Sequence, residues 1–155
     1  MSKKKVIFLD VDGVLNSVAY DRERNQNDRN IDVSRLMLLK QIVDATGAEI
    51  VLSSTWRMHW KKNDSVAEET KRVFFSAGLS ITDITPFGES RREEIVVWLK
   101  KNADTERFVI IDDQFGGWGE LAPFLIKTDG RIGRGLENNH VRAAIKLLNG
   151  DMTQR

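Results

Sequence analysis

The most constraining feature of the chain is an apolar run at 6–9 that ends directly at two acidic residues, Asp10 and Asp12. Uninterrupted apolar runs rich in β-formers are typical of a central strand buried on both faces. Two ionised carboxylates at the end of such a strand repel each other and are costly to desolvate. The pair is therefore expected to bind a divalent cation, with one carboxylate attacking an electrophile. Gly13 allows the backbone to turn sharply away and leave room for a substrate.

Apolar runs and helical patterns alternate along the rest of the chain. Further strands are predicted at 49–52, near 80–84, at 107–111 and at 124–126. Helices are predicted over 31–46, roughly 65–77, from Ser90 onward and about 138–149. Strands separated by helices predict an α/β fold with a central parallel sheet and helices on both faces.

Helix ends carry recognisable capping signals. Asp32 or Ser34 is the expected cap of the helix over 31–46. Ser65 and Glu68 have the spacing of a capping box, and so do Ser90 and Glu93.

Length and composition limit the possible classes. The 155 residues predict a single domain over 1–150 with a tail at 151–155, too short to include a large lid domain. The 24 Lys and Arg residues nearly balance the 23 Asp and Glu residues. Net charge alone therefore does not point to a binding partner. The absence of cysteine excludes disulfides and thiolate metal sites and fits a reducing compartment, so cytoplasmic residence is expected. No signal-peptide core or membrane-length apolar run occurs.

A second acidic pair, Asp112 and Asp113, follows the predicted strand at 107–111. In sheets of this kind, ligands bind beyond the carboxyl ends of the strands, so both acidic pairs are expected at one edge. Hard carboxylate oxygens from two strands suit Mg²⁺. His59 and His140 give no zinc spacing.

Four segments in chain order resemble the haloacid dehalogenase (HAD) superfamily of phosphotransferases: the Asp-Val-Asp-Gly run, Ser53-Ser54-Thr55, the Arg91 segment and Asp112-Asp113. The resemblance implies a three-layer Rossmann-like fold, Mg²⁺ as cofactor and an aspartyl-phosphate intermediate. It implies that Asp10 attacks phosphorus, and that Asp12 protonates the leaving oxygen and then activates water.

The same resemblance implies roles for hydroxyl and basic residues. Ser53, with Ser54 as a close alternative, would hold a phosphoryl oxygen. Arg91 or Arg92 would stabilise the nucleophile and the transferring phosphoryl group, and the choice between them stays open. Most relatives have Lys there, so Arg is a departure that still allows bidentate phosphate binding.

The metal ligands implied by the resemblance are carboxylates and one carbonyl. Asp10 and Asp113 would bind Mg²⁺ directly, and Asp12 would contribute its backbone carbonyl. Asp112 would orient the metal or the basic residue.

Parts of the chain resemble, further, small HAD domains associated with predicted nucleic-acid repair proteins. Residues 16–31 form only a short polar flap, so a minimal cap or none is expected, and the open site would admit a large substrate. The residues expected to contact substrate are Gly13, Ser54, Thr55, Arg57, Arg92, Arg22 and Arg24. Flanking phosphates are expected to be bound by Arg22, Arg24, Arg29, Arg57, Lys61 and Lys62. A base is expected to stack on Trp56, Trp60 or Trp118.

The expected function is a Mg²⁺-dependent phosphomonoester hydrolase acting on a phosphorylated DNA or RNA end, with the 3′ or 5′ preference open. A nucleotidase or small-metabolite phosphatase is the alternative, and a phosphoprotein phosphatase comes third. A non-catalytic phosphate-binding or nucleic-acid-binding module would be expected to lose Asp10 or Asp12, and both are present. A receiver-type signalling domain fits the position of the acids poorly. A metal-dependent nuclease of the DxD type typically needs a separate Glu on the first strand, which is absent here. No membrane or obligate protein partner is indicated.

Overall fold

Five parallel strands form one sheet with the order β3-β2-β1-β4-β5 in a computed structural model that describes residues 3–25 and 30–150. The strands are β1 (Lys4–Leu9), β2 (Glu49–Leu52), β3 (Ile81–Ile84), β4 (Thr105–Asp112) and β5 (Leu125–Lys127). The helices are α1 (Val18–Arg24), α2 (Val33–Thr46), α3 (Arg57–Lys62), α4 (Ser65–Ser76), α5 (Arg91–Lys101) and α6 (Asn138–Asn149). A short 3₁₀ segment covers Gly119–Phe124.

The central strand divides the core into two layers because successive side chains point to opposite faces. Ile7 and Leu9 pack with α2, α4 and α6 on one face. Val6 and Phe8 pack with α5 and the 3₁₀ segment on the other. This arrangement confirms the predicted α/β fold with a parallel sheet covered on both sides.

Most predicted helix boundaries agree with the structure. Asp32 caps α2 by accepting from Ser34 N, and Ser90 caps α5 by accepting from Glu93 N. Asp64, not Ser65, caps α4, because its carboxylate accepts from two backbone N–H groups of the first turn.

Two short helices and the 3₁₀ segment were not predicted. Helix α1 occupies part of the stretch expected to be a polar flap, and α3 directly follows the loop after β2. Within the described residues, no helix combines the length and apolar character needed to cross a membrane.

Candidate active site

Three carboxylates meet at the carboxyl edge of the sheet. Strands β1 and β4 are neighbours, with Leu9 opposite Ile111, so the residues that follow them lie side by side. One oxygen from each of Asp10, Asp112 and Asp113 lies within 4.8 Å of the others. Hard oxygen donors at this spacing fit a divalent cation such as Mg²⁺.

The cluster is electrostatically unfavourable without a cation. Asp10 and Asp112 are buried, whereas Asp113 is exposed. Burial, followed by the negative charges of Asp112 and Asp113, raises the pKa of Asp10 from 3.8 to about 8, and Arg91 only partly opposes this shift. A bound cation would relieve this penalty by stabilising the ionised carboxylates.

Arg91 bridges the two buried carboxylates from the first turn of α5. Its Nη1 lies 2.8 Å from Asp112 Oδ2 and 3.3 Å from Asp10 Oδ1. The neighbouring Arg92 instead forms two hydrogen bonds with Glu120 of the 3₁₀ segment. Of the two arginines that the sequence left open, the structure therefore brings Arg91 to the carboxylates.

Asp12 is held by two hydrogen bonds on its two oxygens. Asn16 Nδ2 donates to Asp12 Oδ1 at 3.0 Å, and Trp56 Nε1 donates to Asp12 Oδ2 at 3.2 Å. Asn16 also accepts from Gly13 N, so one buried amide fixes the turn after β1. The sequence suggested Trp56 as a stacking surface for a base; in the structure its indole N–H contacts Asp12.

The two serines after β2 differ in their hydrogen bonds. Ser53 Oγ is buried and has no partner within the described part of the chain. Ser54 Oγ accepts from Trp56 N and thereby helps to shape the loop. Thr55 is exposed beside them. A buried hydroxyl without a partner is costly, so Ser53 is the serine suited to bind an added oxygen ligand.

Arg57 is buried rather than presented to solvent. Its Nη2 lies 2.8 Å from Glu94 Oε2, and Nη1 donates to the Thr85 hydroxyl and to the carbonyl of Pro86. Glu94 also accepts from Gly88 N. The sequence suggested Arg57 for substrate phosphates, but in the structure it joins the Ser53 loop to the helix that carries Arg91.

Two glycines allow the loops around the cluster to pack closely. Gly13 adopts φ +82°, and a Cβ there would overlap Asp113 Oδ2. A Cβ at Gly130, in the loop after β5, would overlap Gly13 Cα. Thr128 Oγ1 donates to Gly13 O at 2.8 Å. The sharp turn at Gly13 was expected, and Asp113 occupies the position that a Cβ there would take.

The other basic and aromatic residues suggested from sequence lie in different settings. Arg22, Lys61 and Lys62 are exposed. Arg24 pairs with Asp21 at 3.1 Å. Trp118 is buried, and its indole donates to Gln114 O. The Trp60 ring lies under the Lys71 ammonium. Arg29 lies outside the described residues.

Comparison with known families agrees with this geometry. A parallel sheet whose central strand is followed by Asp-Val-Asp-Gly, with further acids at the end of the neighbouring strand β4, is typical of an HAD-type domain. The chain matches the family described as "HAD domain in Swiss Army Knife RNA repair proteins" over residues 6–141 and belongs to that family. This membership indicates a phosphatase-type hydrolase. No curated protein and no solved structure matches the chain.

Proposed function

We propose that this chain, acting as a single domain over 1–150, is a Mg²⁺-dependent phosphomonoester hydrolase that forms an aspartyl-phosphate on Asp10. The observation that carries the proposal is the convergence of the carboxylate cluster, Arg91 and the unpartnered Ser53 hydroxyl at one edge of the sheet. This set supplies a nucleophile, a cation site and donors for a phosphoryl group.

The metal would be held by Asp10 and Asp113, with the Asp12 carbonyl as a further ligand by resemblance to the superfamily. Asp112 is engaged by Arg91 and by Gln114 N, which suits it to orient the site. When bound there, the ion supplies positive charge that keeps Asp10 ionised and polarises the phosphoryl oxygens.

Ser53 and Arg91 would bind the transferring phosphoryl group. The buried Ser53 Oγ can donate to one of its oxygens, and this hydrogen bond would satisfy a hydroxyl that otherwise has no partner. Arg91 would hold Asp10 in position and offset negative charge as it develops.

Asp12 would move the proton in both half-reactions. In the first, an Asp10 oxygen forms a bond to phosphorus, the bond from phosphorus to the leaving oxygen breaks, and Asp12 gives that oxygen a proton. In the second, Asp12 takes a proton from water as the water oxygen attacks phosphorus and the bond to Asp10 breaks. The hydrogen bonds from Asn16 and Trp56 support this role because they fix both carboxylate oxygens.

The proposed substrate is the phosphorylated end of a nucleic acid, with RNA favoured by the description of the family. Among the described residues, the segment between β1 and α2 contains one short helix, α1, which fits a site with little or no cap. A polynucleotide end can enter such a site while the rest of the strand stays outside.

The test compares phosphate release from several substrates with EDTA and with Mg²⁺. The set contains 3′- and 5′-phosphorylated RNA and DNA oligonucleotides, the terminal mononucleotides, sugar phosphates and phosphopeptides, each at two salt concentrations. Hydrolysis should require Mg²⁺, disappear in Asp10→Asn and persist in the surface control Glu106→Gln. Preference for the oligonucleotide over its mononucleotide should fall as salt rises. Full activity in EDTA or in Asp10→Asn would contradict the mechanism, and equal, salt-independent rates would favour a small metabolite.

A further inference from the structure

A trough leads away from the carboxylate cluster across the loops after β4 and β5. One cavity of about 300 Å³ is lined by Asp12 and Asp113, and an adjoining cavity of about 440 Å³ is lined by residues of the two loops. Asp113, Gly130 and Arg131 line both. Because the leaving oxygen must lie beside Asp12, whatever is attached to that oxygen can continue along this trough.

Two large apolar side chains stand almost fully in solvent at the outer cavity. Phe115 is 87% exposed and Ile132 is 91% exposed, and both line it. Single exposed apolar residues are common on protein surfaces. Here, however, two such residues flank one cavity that is also lined by Asp113 of the carboxylate cluster. This arrangement suggests a surface for the flat apolar face of a ligand. An exposed aromatic ring beside a polar trough suits the stacking of a nucleobase.

Two cations line the same cavity without a salt bridge among the described residues. These are Lys127 and Arg131. Asp129, which also lines this cavity, accepts hydrogen bonds from the backbone N–H groups of Ile132 and Arg131. These bonds hold the turn and, together with the positive charge of Lys127, lower the pKa of Asp129. Many other arginines are already paired: Arg24 with Asp21, Arg57 with Glu94, Arg92 with Glu120 and Arg134 with Glu23. Lys127 and Arg131 are thus well placed to attract phosphates.

We infer that Phe115, Lys127, Arg131 and Ile132 form a nucleotide-binding surface that holds the strand next to the reacting end of a polynucleotide. We call it the Phe115–Ile132 surface. Phe115 would stack on the base, Ile132 would pack against its sugar or base, and the two cations would contact the neighbouring phosphates. The inference rests on the proposed function, since the strand is taken to carry the phosphate that Asp10 attacks.

The test uses a phosphorylated oligoribonucleotide, its terminal mononucleotide and p-nitrophenyl phosphate. Phe115→Ala should lower the ratio of kcat/KM for oligonucleotide over mononucleotide roughly tenfold, the size expected for one stacked base. The double variant Lys127→Ala/Arg131→Ala should lower the same ratio and flatten its dependence on salt. Phe75→Ala is the matched control, because Phe75 is 80% exposed on α4 and does not line the trough.

The outcomes separate this inference from the proposed function. A protein that hydrolyses the oligonucleotide with an unchanged ratio in both variants would overturn the Phe115–Ile132 surface and leave the enzyme assignment standing. If no phosphomonoester is hydrolysed, the proposed function fails, and anisotropy of fluorescently labelled RNA then tests the surface directly. Weaker binding by Phe115→Ala than by Phe75→Ala would support the surface, and equal binding would refute it.

Discussion

Replacing Asp10 with asparagine should stabilise the metal-free protein while abolishing turnover. Asp10 is buried beside two other acids, and its pKa rises from 3.8 to about 8. The folded protein therefore holds a proton on Asp10 over a pH range in which the unfolded chain has lost it. Asparagine has nearly the same shape as the protonated carboxyl but never ionises, so the substitution removes this penalty.

The size of the effect follows from proton linkage. For each pH unit above 3.8, the pKa of Asp10 in the unfolded chain, wild type loses about 1.4 kcal/mol of unfolding free energy relative to Asp10→Asn. At pH 7 the variant should therefore be more stable than wild type by up to about 4 kcal/mol. The contribution of protonated Asp10 to the stability of wild type is fully present below pH 3.8 and is lost progressively as the pH rises through about 8. The advantage of Asp10→Asn should therefore be near zero at pH 4, grow steadily and level off above pH 8.

Urea denaturation in EDTA at several pH values from 4 to 9 measures this difference. Glu106→Gln removes an exposed acid from β4 and should show little pH-dependent gain. Added Mg²⁺ should stabilise wild type more than Asp10→Asn, because a ligand that binds only the folded state shifts the unfolding equilibrium. An Asp10→Asn protein that is less stable than wild type in EDTA, or whose advantage does not vary with pH, would refute the reasoning.

Substitutions at three further positions test the supporting contacts. Trp56→Phe should lower kcat about tenfold with little change in the urea midpoint, because Asp12 loses one of the hydrogen bonds that orient it. Arg91→Lys should retain about tenfold more kcat/KM than Arg91→Gln, since it keeps a positive charge beside the two carboxylates that Arg91 Nη1 contacts. Gly130→Ala should lower the free energy of unfolding by about 1–3 kcal/mol, measured in urea, because its Cβ would overlap Gly13 Cα.

The central strands β1, β2 and β4 could be predicted from sequence because each contains a buried apolar run that is followed by acids or serines. Helix α2 was predictable for a similar reason, since a helical apolar face lies between Asp32 and Gly47. Helices α1 and α3 have no such face. They span 7 and 6 residues, and most of their side chains are polar. Short segments of this kind form helices through caps and tertiary contacts that no periodicity reveals.

The acidic residues of the site were predictable because parallel strands present their carboxyl ends at one edge. The directions of Trp56 and Arg57 were not predictable, since they depend on how the loop after β2 rotates. One of these adjacent residues reaches Asp12, and the other turns into the interior toward Glu94. The proposed Phe115–Ile132 surface could not be anticipated for a related reason, because its two apolar residues lie 17 positions apart in the sequence.

The buried pair of Arg57 and Glu94 restricts how this chain can change over evolution. Substituting either partner alone leaves an unpaired charge in the interior and lowers the free energy of unfolding by about 3–5 kcal/mol. This is a large part of the stability of a typical domain. Replacing both with apolar residues of similar volume can be neutral. Evolution by single substitutions would have to pass through a poorly folded variant that has only one partner of the pair. Relatives should therefore carry either the ionic pair or two apolar residues at these positions. Chains with one half of the pair should be rare, and this expectation can be checked by counting residue pairs at these two positions.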